Sequence, residues 1–224
     1  ASALGLAKYE RTYNALEFTF ERPFDGRWGV AGSYTWSKSV GSAEGYVQSN
    51  LNQDDAGVTQ DFDFGSFSDG SKGYLPNDRR HVFKVYGNYQ LTSEFRLGFN
   101  ATLASGRPLS CIGFVPPTVP DFAGAVAYPS ASAYYCIKDP NQTAVLVKRG
   151  SVGRTKWTNT FDLSVAYIPQ WANKKLTLQA DVFNLFNNGR PTELNETRDY
   201  SRAESNATTP PYRQNANYLQ PTTF

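Results

Sequence analysis

Three times along the chain, two alternating segments of about ten residues are joined by a connection of four to six residues and followed by a polar stretch of more than thirty. The first pair is Tyr13–Glu21 and Trp28–Ser37, the second His81–Gln90 and Phe95–Ala104, the third Trp157–Ile168 and Lys175–Phe186. Within each segment one face is apolar and the other polar, the period-two signature of a strand. Leu16, Phe18 and Phe20 oppose Glu17, Thr19 and Glu21; Phe95, Leu97, Phe99, Ala101 and Leu103 oppose Arg96, Asn100 and Thr102. In the last segment Leu176, Leu178, Ala180 and Val182 oppose Thr177, Gln179 and Asp181, and Phe183 breaks the polarity of that second face.

The alternation of connection lengths is what separates one all-β architecture from another. Compact soluble domains favour short connections throughout. Transmembrane barrels join strands of about ten residues by short turns on one side and long loops on the other. The long stretches run from Lys38 to about Arg80, Ser105 to about Val152 and Asn187 to about Asn217. The polar faces carry Glu17, Lys84, Arg96, Asp162 and Asp181, charges that a packed soluble core does not hold unpaired but a watery lumen does. Aromatic residues sit at both strand ends: Trp28, Tyr89, Tyr167 and Trp171 near short turns, Tyr34, Trp36 and Trp157 near long loops. That is the placement of two interfacial girdles. The fold expected is therefore all-β, an antiparallel transmembrane barrel segment.

Composition sharpens this by exclusion. The net charge of +2 gives no electrostatic support for nucleic-acid binding. No run of eighteen apolar residues exists for a spanning helix. The chain of 224 residues contains no methionine and opens Ala-Ser-Ala, so it is expected to be a piece of something larger. About six full strands do not close a barrel, for which about eight is the usual minimum. The missing strands are expected from the rest of a parent chain or from another molecule.

Cys111 and Cys136 are the only cysteines, twenty-five residues apart within the second long stretch. A disulfide closing that loop fits an oxidising compartment; two unpaired buried thiols is the alternative. No cofactor is expected. Asp78-Arg79-Arg80-His81 re-enters the first strand of the second pair. Arg79, Arg80 and His81 are candidates for substrate contact there, against a role in charge pairs that anchor the loop. Lys84, Arg96, Asp162 and Asp181 are candidates for lining a pathway or bracing a plug. The first long loop is acidic, with Glu44, Asp54, Asp55, Asp61, Asp63 and Asp69. Asp61, Asp63 and Asp69 are calcium candidates, although Asp61-Phe62-Asp63-Phe64-Gly65 lacks the third ligand and closing Glu of a calcium loop; a solvated loop is the plainer reading. Asn141-Gln142-Thr143, Asn195-Glu196-Thr197 and Asn206-Ala207-Thr208 match the glycosylation pattern, which matters only in a eukaryotic secreted protein.

Four motifs follow one another at family-like spacings: GSYTWSKS at Gly32–Ser39, NDRRHVFKV at Asn77–Val85, SGRPL at Ser105–Leu109 and DVFNLFN at Asp181–Asn187. In these the chain resembles the C-terminal barrel half of TonB-dependent outer-membrane receptors, and among them the Oar-like subgroup. The resemblance implies a barrel of about twenty-two strands in the outer membrane of a Gram-negative bacterium, with extracellular loops. It also implies a lumenal plug and uptake of a substrate driven through the TonB complex. Neither a plug nor a TonB-box segment lies in residues 1–224, and the family's closing aromatic strand is not visible before Phe224. The expected partners are thus outer-membrane lipid, the rest of the barrel, a plug, the TonB complex and an unknown transported substrate, with no nucleic acid. The rival readings are a small passive outer-membrane barrel or adhesin, and a soluble secreted β-sandwich binding carbohydrate. Neither the resemblance nor any carboxylate spacing points to an enzyme.

Overall fold

The computed structural model describes residues 6, 8–57, 61–122, 132–138, 144–173, 175–199 and 214–223. Strands β1 (Arg11–Arg22) and β2 (Trp28–Gly41) form the first hairpin, and β3 (Gly73–Tyr74) adds a short rung at the outer end of β2. Next come β4 (His81–Gln90), β5 (Phe95–Ala104), then β6 (Pro108–Leu109), β7 (Tyr135–Cys136), β8 (Val145–Leu146) and β9 (Gly153–Arg154) within the second long loop. Strands β10 (Thr158–Tyr167) and β11 (Leu178–Val182) make the third hairpin, and β12 (Glu193–Leu194) pairs with β13 (Pro221–Thr223). The principal sheet is antiparallel in the order β1-β2-β4-β5-β10-β11. It is open: on their outer sides β1 and β11 have no partner among the described residues.

The register carries each face across all six strands. Phe20, Gly32, Val85, Ala101 and Phe161 form one apolar row, and Phe18, Tyr34, Phe83 and Leu103 the next. On the opposite face Thr19, Ser33, Lys84, Thr102 and Thr160 align, as do Glu21, Ala31, Tyr86, Asn100 and Asp162. The apolar face is exposed, with Leu16, Phe18 and Phe20 all more than half open. A β-sandwich would need a second sheet over this face, and the described residues place none there.

The first two short turns have local causes. Asp25 Oδ1 accepts the backbone N–H groups of Arg27 (2.9 Å) and Trp28 (3.0 Å), and Gly26 takes the positive φ of 95° that a side chain disfavours. Arg22 donates to Asp25 Oδ2 at 2.6 Å and stacks on the Trp28 ring at 3.6 Å; its hydrogen bond holds the Asp25 carboxyl far below the usual range. Thr92 Oγ1 accepts from Glu94 and Phe95 in the second turn.

The third hairpin departs from expectation. Its second strand was expected over Lys175–Phe186, yet pairing covers only Leu178–Val182. Asn184 and Asn187 both adopt left-handed φ, 49° each, which ends the ladder. The Asn184 amide donates to Asp162 Oδ1 at 2.9 Å, while the Asn184 side chain accepts from Asn188 N at 3.0 Å. The DVFNLFN motif is thus a strand terminus followed by a turn that the Asn184 backbone and side chain close. It returns Phe186 to the apolar face against Phe161, with ring centroids 5.5 Å apart.

The long loops contain the packed core. Among the described residues no buried hydrophobic side chain belongs to the six long strands; those buried are Ala43, Phe67, Leu75, Leu109, Ile112, Val115, Ala133, Tyr134, Ile137 and the two cysteines. Phe67, Val115 and Ala133 pack together under Phe64, Val119 and Phe122, and Ile112 with Tyr134 meets Leu51 and Phe114. The first loop was expected to be solvated. Instead it folds over a helical turn, α1 (Gly65–Ser68), into a layer shared with the second.

Candidate functional site

Two regions collect the chemistry: the rim where the loops enter the sheet, and the polar face below it. At the rim Asp78 is fully buried. Its Oδ1 accepts from Ser39 N at 2.6 Å, and its Oδ2 pairs with Arg80 (3.3 Å) and with Arg154. Arg154 also donates to the carbonyls of Asp78 (2.8 Å) and Gly106 (3.0 Å). One carboxylate therefore ties β2 to the returning ends of both the first and second loops. Arg79 donates to Ser105 O at 3.1 Å, and burial, with Arg107 and Arg154 nearby, lowers the basicity of its guanidinium. Arg80 also lies over the Tyr74 ring at 5.2 Å. Gly106 has no room for a side chain, since a Cβ there would stand 1.7 Å from Thr155 O. Beside it Thr155 N donates to Arg107 O and Arg107 N donates to Thr155 Oγ1, closing the second loop at its base.

His81 is a correction. Its register partner is Trp36, so its side chain lies on the apolar face. There Tyr34 Oη meets His81 Nδ1 at 2.9 Å, and the imidazole stacks on Trp157 at 5.8 Å. It belongs to an aromatic belt with Tyr34, Trp36 and Trp157, on the face opposite Lys84. A second belt closes the other end, where Trp28 pairs with Tyr89 and Phe95 stacks on Tyr167 at 4.8 Å.

The structure places two of the calcium candidates, Asp61 and Asp69, in separate contacts. Asp61 is buried and accepts from Arg149 Nη2 through both oxygens (3.2 Å each) and from Gln48 Nε2 at 3.0 Å. Asp69 accepts the Tyr135 hydroxyl at 2.8 Å. Asp61 and Asp69 are thus spent on separate contacts, and among the described residues no three potential ligands gather around a cation. Burial raises the pKa of the Tyr134 phenol, which is hydrogen-bonded to Arg149 Nε.

Sequence reasoning missed Arg107, Arg149, Glu196 and Asp199. Arg107 is buried against Glu196 of the third loop, with Glu193 at 3.5 Å. Glu196 is fully covered and accepts Ser110 N at 2.6 Å; burial raises its carboxyl to about 7. The only signal was the Asn195-Glu196-Thr197 pattern. Asn195 Oδ1 accepts Thr197 N at 2.9 Å, an Asx turn that aims Glu196 inward. The patterns at Asn141 and Asn206 lie outside the described residues.

The second loop is stapled by a disulfide between Cys111 and Cys136, their Cα atoms 6.0 Å apart. Closing a loop of twenty-five residues contributes about 3 kcal/mol by restricting the unfolded loop. Replacing both cysteines with serine is expected to make the second loop cleavable by thermolysin under conditions where the wild type resists. Heat-modifiable migration of the barrel should be unchanged, because neither cysteine touches the six strands.

On the polar face Lys84, Arg96, Asp162 and Asp181 share one side of the sheet. Arg96 donates to Gln90 Oε1 at 3.1 Å, Asp162 accepts from Asn100 at 3.1 Å and Asp181 from Gln179 at 2.9 Å. A groove of about 400 Å³ runs between Tyr86, Asn88, Asn100, Asp162, Ser164 and Asp181. The larger furrow, about 540 Å³ among Phe18, Phe20, Tyr34, Phe83 and Phe161, lies on the apolar face, where acyl chains rather than a solute would meet it.

The chain is similar to known outer-membrane proteins. Residues 6–106 match the family model described as an outer membrane beta barrel domain. Over 182 residues the chain is 27% identical to the TonB-dependent transporter Oar of Myxococcus xanthus, covering 79% of this chain and 15% of that protein. The chain is similar to a segment of an Oar-like outer-membrane β-barrel. The chain spans about 15% of the length of that curated relative. A solved structure, the closed form of the ferric-catecholate import receptor Fiu from E. coli K12, aligns at a TM-score of 0.45 and 16% identity, over 84% of this chain and 18% of that one. The chain resides in the outer membrane of a Gram-negative bacterium, its exposed apolar rows toward lipid.

Proposed function

We propose that this chain supplies part of the wall and the extracellular loop layer of an energised uptake transporter. The observation that supports the reading is the sheet itself: one face apolar between two aromatic belts, the other polar, with a packed loop layer at one end. The apolar face meets lipid, the polar face lines the lumen, and the loops form a surface firm enough to capture a solute. The remaining strands and a plug complete the barrel, and the TonB complex provides the energy. In this reading the chain performs no covalent chemistry, and Lys84, Arg96, Asp162 and Asp181 brace the plug or border the path beside it.

A photo-crosslinking residue at Tyr86, on the polar face, tests this in the full-length outer-membrane protein. The expected product is an internal crosslink to a lumenal segment, together with co-purification of the TonB complex from the envelope. An open, ion-conducting lumen in planar bilayers with no internal crosslink would instead support a passive barrel.

A further inference from the structure

On the outward side of the rim three cations converge on one ring. Tyr74 pairs with Val40 of β2, so it shares the face of Lys38, Trp36 and Tyr34. Arg80 lies over the Tyr74 ring at 5.2 Å, Arg154 at 5.5 Å and the Lys38 ammonium at 5.9 Å. Asp78 pairs with Arg80 and Arg154, whereas Lys38 is exposed and has no carboxylate partner among the described residues. Both guanidinium side chains also keep part of their surface open. The cluster therefore presents an excess of positive charge outward, where an external anion would balance it.

Below the cluster the same face changes character in two steps. One row down, Trp36 aligns with His81 in the aromatic belt. In the next row Tyr34 stacks on Phe83 at 4.4 Å and forms the upper edge of the furrow of about 540 Å³. Val85 and Ala101 are its floor. Phe20 bounds one side, lying across Gly32, where a Cβ would stand 2.7 Å from its ring. Phe161 and Phe186 bound the other, so the turn in DVFNLFN supplies a wall. Lys38 stands two residues beyond Trp36, about 7 Å along the strand. That matches the interfacial layer on one side of a bilayer, about 5–8 Å deep. The cations are thus at phosphate height when the furrow lies in hydrocarbon.

We propose that this outward surface is a binding site for an anionic, acylated lipid of the loop-side leaflet. Its phosphate sits on Lys38, Arg80 and Arg154, and an acyl chain lies in the furrow between Phe20 and Phe186. The cluster selects a phosphate without an amine, since a zwitterionic headgroup brings its own cation against three others. The furrow selects a lipid over a soluble phosphate, because its apolar walls gain only from a chain laid against them. The site depends on the lipid-facing assignment of the sheet and not on energised uptake, so a passive barrel would bear it equally.

The test places the photo-crosslinker benzoylphenylalanine at Phe83, on the furrow wall, in the full-length outer-membrane protein. The protein is reconstituted in vesicles of equal parts phosphatidylglycerol and phosphatidylcholine with identical acyl chains, and the lipid adducts are counted by mass spectrometry. With the cation cluster intact, phosphatidylglycerol adducts are expected to exceed phosphatidylcholine adducts about tenfold. Lys38→Gln removes one cation and leaves the Asp78 pairs in place, so the ratio should fall about fivefold, while Lys38→Arg keeps it. An excess of glycerol phosphate in the buffer should leave the ratio unchanged. Equal adducts with the cluster intact, a preference unaltered by Lys38→Gln, or one abolished by glycerol phosphate would overturn the proposal. No lipid adduct at all would overturn it together with the lipid-facing assignment.

Discussion

Replacing Asp78 with alanine is expected to release the rim, at a cost of about 3–5 kcal/mol to loop anchoring. That is the range for removing one partner of a buried charge pair. The size follows from what Asp78 holds: Ser39 N on β2, Arg80 at the end of the first loop and Arg154 at the end of the second. Without the carboxylate, two guanidinium groups remain at a rim that also contains Arg79 and Arg107, and their mutual repulsion is no longer offset. Asp78→Asn should fail nearly as badly, because the amide accepts from Ser39 but carries no charge. Limited proteolysis of intact cells would show new cuts in residues 38–80 and 105–152, with the heat-modifiable barrel still present. Unchanged loop protection in Asp78→Ala would remove this carboxylate from the account of the rim.

The second large effect belongs to the sheet. Val85 and Tyr86 are neighbours in the middle of β4 on opposite faces: Val85 aligns with Gly32 and Ala101, Tyr86 with Ala31 and Asn100. Arginine in place of Val85 puts a charge near the bilayer midplane and is expected to cost about 2–4 kcal/mol. Arginine in place of Tyr86 enters water beside Asp162 and is expected to change stability by no more than about 0.5 kcal/mol. Folding titrations of the full-length protein into lipid vesicles compare the two directly. Equal costs would contradict the assignment of faces.

These predictions divide along the line between what was legible in the chain and what was not. The faces were legible because a strand repeats every two residues, so Phe83 and Lys84 declare opposite environments without any knowledge of partners. The observed register keeps every expected apolar residue of β4 and β5 on one side. The end of the third hairpin was not legible. Nothing in Asp181–Asn187 distinguishes an extended Asn184 from the left-handed one that stops the ladder. The loop layer was less legible still, since it has no period. Asp61 meets Arg149 across 88 positions and Glu196 meets Arg107 across 89, pairings that no local pattern announces. Composition made the first loop look solvated because its acids are numerous, whereas Asp61 is buried with a counter-ion from another loop. His81 misled for a similar reason. Its neighbours in sequence are charged, but its neighbours across the sheet are Trp36 and, by stacking, Tyr34 and Trp157.

The measurement that bears most directly on the central claim is a quenching scan along β4. Single fluorophores at positions 82 to 87 of the full-length protein in lipid vesicles are challenged in turn with a lipid-borne and a water-soluble quencher. The account predicts strict alternation: positions 83, 85 and 87 quenched from the lipid, positions 82, 84 and 86 quenched from the water. Access to the aqueous quencher at every position, with none to the lipid-borne one, would contradict it and return the chain to the soluble β class.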